Sequence, residues 1–112
     1  MNNSYIYKIE EIESSTDIIS KKYKNLFYIF ETICKELTAD DNIRFASEYA
    51  RLTFLLDKNN VHIAMRKRIL RFRADAINSM RNNAAISAEQ YREDYIALAL
   101  FISLLFGEQI SE

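Results

Sequence analysis

The chain has 112 residues with one histidine, one cysteine, one glycine and no proline, and its 15 basic and 16 acidic residues leave a formal net charge of −1. This length suits one domain and is too short for two good cores. Near-neutrality excludes an overall field drawing the molecule to phosphate or to an anionic membrane. A lone cysteine excludes an internal disulfide and fits a reducing compartment.

The only glycine is Gly107, so tight β-hairpins lack their usual turn residues and an all-α chain is expected. The opening MNNSYIYKIEEIE has no cationic stretch followed by an apolar run, does not read as a signal peptide, and makes a cytoplasmic protein the expectation. From there Tyr5, Ile9, Ile12, Thr16, Ile19, Tyr23, Leu26, Phe30, Ile33 and Leu37 follow one another in steps of four and three. That is the seam of a helix packed at a shallow angle on neighbours. Ser14, Ser15 and Thr16 interrupt it with side chains suited to capping a new start near Asp17. The stretch is therefore one long helix, or two with a break at Ser14 to Thr16.

Thr38 and Asp41 resemble a capping box, and a second helix is expected from about Ala39 to Lys58, burying Phe45, Tyr49, Leu52 and Leu56 with Ile43, Ala46 and Thr53 beside them. The turn-formers of DKNN follow. A third helix should span Val61 to Asn82 with Met65, Ile69, Phe72, Ala76 and Met80 on one face. Ser87 and Gln90 form another capping box, and Gly107 stands as the stop of a fourth helix carrying Tyr91, Tyr95, Leu98, Ile102 and Leu105. With short connections these make an up-down helical bundle of four helices, a single domain over 1–112.

The stretch RKRILRFR, Arg66 to Arg73, holds five cations in eight positions. On a wheel of 100° per residue they surround the apolar face, with Arg73 and Arg66 on one flank, Arg68 on the other, and Lys67, Arg71 and Arg81 outward. Arg66, Arg68 and Arg73 are expected to lay their methylenes along the core edge with their heads in water or on carboxylates such as Glu48, Asp57, Glu93 and Asp94. Lys67, Arg71 and Arg81 are the candidates for a nucleic-acid contact.

Several chemistries have no sequence signature. His62 has no companions at metal-ligand spacing, so no metal site is expected. Cys34 lies on an apolar helix and reads as a small hydrophobe. The acid pairs Glu10 and Glu11, Asp40 and Asp41, and Glu93 and Asp94 point about 100° apart on a helix and form no dyad. No catalytic residue and no cofactor are expected, and the chain does not read as an enzyme.

Apolar surface is in excess. IALALFISLLF, Ile96 to Phe106, has one polar residue and large side chains all around its wheel, more than one bundle sector hides. It is too short to span a bilayer, which needs about 20 residues. If the first seam is continuous it overhangs its neighbours. Tyr5, Ile9 and Ile12 at one end and Phe101, Leu104 and Phe106 at the other are then candidate interface residues, for a protein partner or a second copy. The alternative is a bend at Ser14 to Thr16 that folds the first turns back onto the last helix.

The segment DNIRFASEYARLTFLLDKNNVHIAMRKRILRFRADAINSM, Asp41 to Met80, resembles the helical N-terminal region of Bacteroides-type superfamily I DNA and RNA helicases, through Arg44, Phe45, Arg51, Phe54 and RILRFR. The resemblance implies the N-terminal part of a longer protein whose motor lies downstream. The helicase motifs are absent here, so it carries over no catalytic residue. The reading is a non-catalytic, cytoplasmic protein-interaction module, with nucleic-acid binding through the basic helix as the alternative and no membrane role.

Overall fold

The computed structural model describes residues 4–107 and is all-helical over them. Five α-helices occur, α1 (Ser4–Ser14), α2 (Ile19–Leu37), α3 (Glu48–Lys58), α4 (Ile63–Asn82) and α5 (Ala88–Phe106), with a 3-10 turn at Ala39–Asp41. The expected four-helix up-down bundle is corrected in two places.

The first is the bend at Ser14 to Thr16, one of the two expected alternatives, which makes the helices five rather than four. Ser14 Oγ donates to Glu10 O at 2.8 Å and Ser15 Oγ to Ile12 O at 2.9 Å, while Ser15 Oγ accepts from Asp17 N. The hydroxyls thus finish α1 rather than capping α2, because they compete for its last carbonyls. Lys22 donates to Glu13 O at 2.7 Å, a cation at the negative end of α1. The seam is broken and α1 folds back as an antiparallel partner of α2, also touching α5.

The second is the segment 38–47. Thr38 Oγ1 donates to Cys34 O at 2.8 Å, ending α2 instead of opening a capping box. Asn42 adopts a left-handed φ of 54°, a conformation short amide side chains tolerate. The helix expected from Ala39 therefore starts only at Glu48, where Ser47 Oγ accepts from Ala50 N at 3.0 Å. Phe45 is half-buried outside the helix, and Tyr49 and Ile43 are exposed. Arg51 donates to Thr38 Oγ1 at 2.8 Å and Lys58 to Asp41 at 2.9 Å, strapping α3 to this turn.

Elsewhere the boundaries agree with the expectation. Ser87 Oγ accepts from Gln90 N at 3.0 Å, and Gly107 closes α5 at φ 67°. Asn83 closes α4 in the same left-handed region, with Ala84 N donating to Ser79 O, a role glycine usually fills.

Phe72 of α4 is the hub of the core. Its ring meets Tyr23 and Phe30 edge-on, both at 5.5 Å, and Phe27 at 6.2 Å, the arrangement that aromatic quadrupoles favour. Chain direction follows from such pairs. Tyr23 meets Asp94 and Phe30 meets Phe101, so α2 and α5 advance together and run parallel. α1 and α4 run against them, Tyr5 meeting Phe106 and Asp75 meeting Gln90. Strict alternation would make α5 antiparallel to α2; the segment 38–47 and the short α3 instead set α4 against α2, and that reverses the sense.

Candidate interaction surfaces

Three phenol-to-carboxylate hydrogen bonds join α1, α2 and α5 in pairs. Tyr5 donates to Glu36, Tyr91 to Glu13 at 2.7 Å, and Tyr23 to Asp94 at 2.6 Å. Burial is the first cause that raises each phenol, followed by its carboxylate, and it brings Tyr5 up to about 12. Asp94 is itself buried, which pushes its carboxyl above the usual aspartate value against the hydrogen bonds from Tyr23 and Gln90. Gln90 also donates to Asp75 at 2.8 Å, and Arg71 lies 3.6 Å from Asp75. This polar network ties α2, α4 and α5 together. Asp94 is buried while its neighbour Glu93 is exposed, and its partner Tyr23 lies too far along the chain for spacing to show it.

The cations flanking α4 are engaged with neighbouring elements. Arg66 pairs with Asp57 at 2.7 Å, Arg73 stands 5.5 Å over the Tyr49 ring, and Arg68 donates to Glu93 O at 3.1 Å. Of the residues proposed for nucleic acid, Arg71 pairs with Asp75, while Lys67 and Arg81 form no salt bridge among the described residues. Those two stand about 21 Å apart along the helix. His62 is exposed at the start of α4, its Nδ1 accepting from Ala64 N at 3.1 Å. Cys34 is buried, and burial, then Glu31 and Glu48, push its thiol up to about 12.

The expected interface is corrected. Tyr5, Ile9 and Phe101 lie in the core, the latter two at 0 % exposure, because the folded-back α1 seals against α2 and α5. Ile12 and Phe106 are half-buried, Phe106 at 5.6 Å from the Tyr5 ring. Only Leu104 of that set is open, at 53 %. It has companions the interface expectation left out: Ile96 at 47 % and Leu100 at 49 %. The spacing i, i+4, i+8 puts the three on one stripe. Beside them an apolar groove of about 340 Å³ runs between α5 and the start of α4, lined by Met65, Ala97 and Arg68 among others.

A second and larger cavity, of about 600 Å³, lies between the first half of α2 and the last turns of α4. No helix among the described residues is long and apolar enough to cross a membrane. Comparison with protein-family models, curated proteins and solved structures finds no match for the chain.

Proposed function

We propose that this chain is a non-catalytic helical interaction module that pairs with a second copy of itself through the Ile96, Leu100 and Leu104 stripe of α5. The observation that carries the reading is the half exposure of three large aliphatic side chains on one helix face. The stripe is symmetric about Leu100, so an antiparallel two-fold contact sets each Ile96 on the other copy's Leu104, a self-complementary arrangement. The same operation places Glu93 opposite Gly107, which has no side chain to repel it. Arg68, drawn to the Glu93 carbonyl, keeps a positive group at the rim. The buried ionisable groups support a non-catalytic role, since Tyr23 and Asp94 are taken up in helix-to-helix hydrogen bonds.

Covering the remaining half of each stripe residue is worth about 2–4.5 kcal/mol per copy, or roughly 5–9 kcal/mol for the pair. Association itself costs about 4–15 kcal/mol, so the pair is weak and reversible, in the class of transient contacts burying less than about 1,200 Å². Sedimentation equilibrium over roughly 0.05–2 mM, where Kd values near 1 mM are readable, tests it. The expected result is a monomer–dimer equilibrium that Leu100→Glu abolishes by setting two carboxylates face to face. Ile63→Glu, at a site equally open but off the stripe, should leave it intact. A strict monomer across that range refutes self-association, as does equal loss in both variants.

A further inference from the structure

The cavity between α2 and α4 has a chemistry unlike the α5 stripe. Its walls include Lys21, Lys24 and Asn25 from α2, Ser79 and Asn83 from α4, and Tyr28, and no carboxylate lines it. The two helices that form it carry the molecule's positive charge. α4 has six cations against the single carboxylate of Asp75, though none of the six lines the cavity, and of Lys21, Lys22 and Lys24 in the first half of α2 it is Lys21 and Lys24 that do. α1 and α5 each carry an excess of acids, so in a molecule of near-zero net charge the groove holds two cations and no carboxylate.

Lys21, 63 % exposed, makes a 3.8 Å contact with the partly buried Asp17, a pairing that a phosphate displaces at little cost. Lys24 Nζ stands over the Tyr28 ring, 5.8 Å from its centre, so a cation and a half-exposed aromatic meet on consecutive turns of one helix and the other face of the ring is left for a base. Tyr28 also lines a second cavity with Asn25, one that carries Glu11 and Asp17 beside Lys8 and so offers phosphate no basic wall. It therefore stands as a ridge between two hollows. At about 600 Å³ the basic cavity has the size of small-ligand sites.

From this we infer that the α2–α4 groove is a nucleotide-binding site, taking phosphate on Lys21 and Lys24 and a nucleobase against Tyr28, either as a free nucleotide or as a unit of a single strand. Stacking on an aromatic side chain beside a basic track is the sequence-tolerant way that single strands are held. The residues differ from Lys67, Arg71 and Arg81. They are gathered by two helices rather than spaced along one, and the inference stands independently of pairing through α5.

Fluorescence anisotropy with a labelled 12-nucleotide oligo-dT, competed by AMP and by a duplex, tests it on the full chain at about 50 mM salt. Binding is expected, with a log–log salt slope near −1.4 for two phosphates on a single strand. Tyr28→Ala should weaken it about 5- to 150-fold, and Lys21→Glu/Lys24→Glu should weaken it at least as much. Lys67→Glu, one charge reversed on the outward face of α4, should change it less than twofold. Circular dichroism confirms that the variants fold, all four positions being exposed or at the rim. Competition by AMP at matched nucleotide concentration identifies a free nucleotide as the ligand; competition only by strands identifies single-stranded nucleic acid. No binding by either, or equal loss in Lys67→Glu and in Lys21→Glu/Lys24→Glu, overturns the inference, the latter by showing diffuse attraction without a site.

Discussion

Replacing Tyr23 by Phe removes one oxygen atom from the middle of the bundle. Tyr23 is 1 % exposed and its hydroxyl donates to Asp94 at 2.6 Å, a carboxylate that is itself 6 % exposed. The ring stays, so its edge contact with Phe72 at 5.5 Å survives. What is lost is a hydrogen bond to a charged acceptor, and the acceptor stays behind in its buried place. That loss is worth about 1.5–3 kcal/mol, or a fall in Tm of roughly 6–12 °C at about 4 °C per kcal/mol. Asp94→Asn does the opposite experiment, keeping an acceptor oxygen for Tyr23 while removing the buried charge. The carboxyl of Asp94 is raised in the folded chain, so between the ordinary aspartate value and the raised one the folded state holds more protons than the unfolded. Its contribution is therefore full at low pH and is lost as pH rises through the raised value. Urea melts of the three proteins from pH 4 to 8 should show Tyr23→Phe least stable at neutral pH, and the wild type losing ground to Asp94→Asn as pH rises. A cost for Tyr23→Phe below about 0.5 kcal/mol, well under the range for a buried charged hydrogen bond, together with parallel pH profiles, would refute the reasoning.

The phenols make the same test at the other end of the scale. Tyr5, Tyr23, Tyr91 and Tyr95 are all raised by burial, so the unfolded chain ionises first, and the stability they contribute is present below about pH 10 and is lost above it. Absorbance at the tyrosinate band should show these four titrating late, together with the loss of helix. Cys34, 4 % exposed and with its thiol pushed up to about 12, should resist a thiol reagent at pH 8 and react at a rate set by unfolding; fast labelling of the native chain would contradict its burial. Phe72→Ala, which removes the ring that Tyr23, Phe27 and Phe30 share, should cost about 3–5 kcal/mol, read as the shift in urea midpoint; a cost under about 1 kcal/mol would deny it the central place.

Where capping residues and period agreed, the sequence was legible. Ser87, the unbroken run to Phe106 and Gly107 delimit α5 in the structure as they do on paper. The helix expected from Ala39 failed because Phe45 and Tyr49 keep the helical period with Leu52, while Thr38 and Asn42 impose local geometry that period cannot reveal. The bend was visible as a cluster of hydroxyls at Ser14 to Thr16, yet its direction depended on Tyr5, Ile9 and Tyr91 finding partners far along the chain. The surface suffered for the same reason. The wheel of α5 separates Ile96, Leu100 and Leu104 from Phe101, Leu98 and Ile102, but which sector faces water is decided by α1, whose position only the bend sets.

The two proposed surfaces are separate, the stripe on the second half of α5 and the groove between α2 and α4. The stripe runs from the middle of α5 to its last turn, whereas the groove is formed by residues 20–28 and 76–84, on the side where Tyr23 meets Asp94 and Asp75 meets Gln90 in the first half of the helix. A two-fold pair centred on Leu100 would therefore carry its grooves at its two far ends, both open. A strand long enough to reach both would bind the second groove at the effective concentration set by its own length, gaining 10²–10⁴-fold at most without any new contact. Leu100→Glu should then weaken binding of a long single strand while leaving a short oligonucleotide's affinity unchanged. A filter-binding series over strand length reads this directly. If Leu100→Glu lowers affinity equally at every length, the stripe and the groove are not joined by pairing, and the effect of the charge is local to the groove.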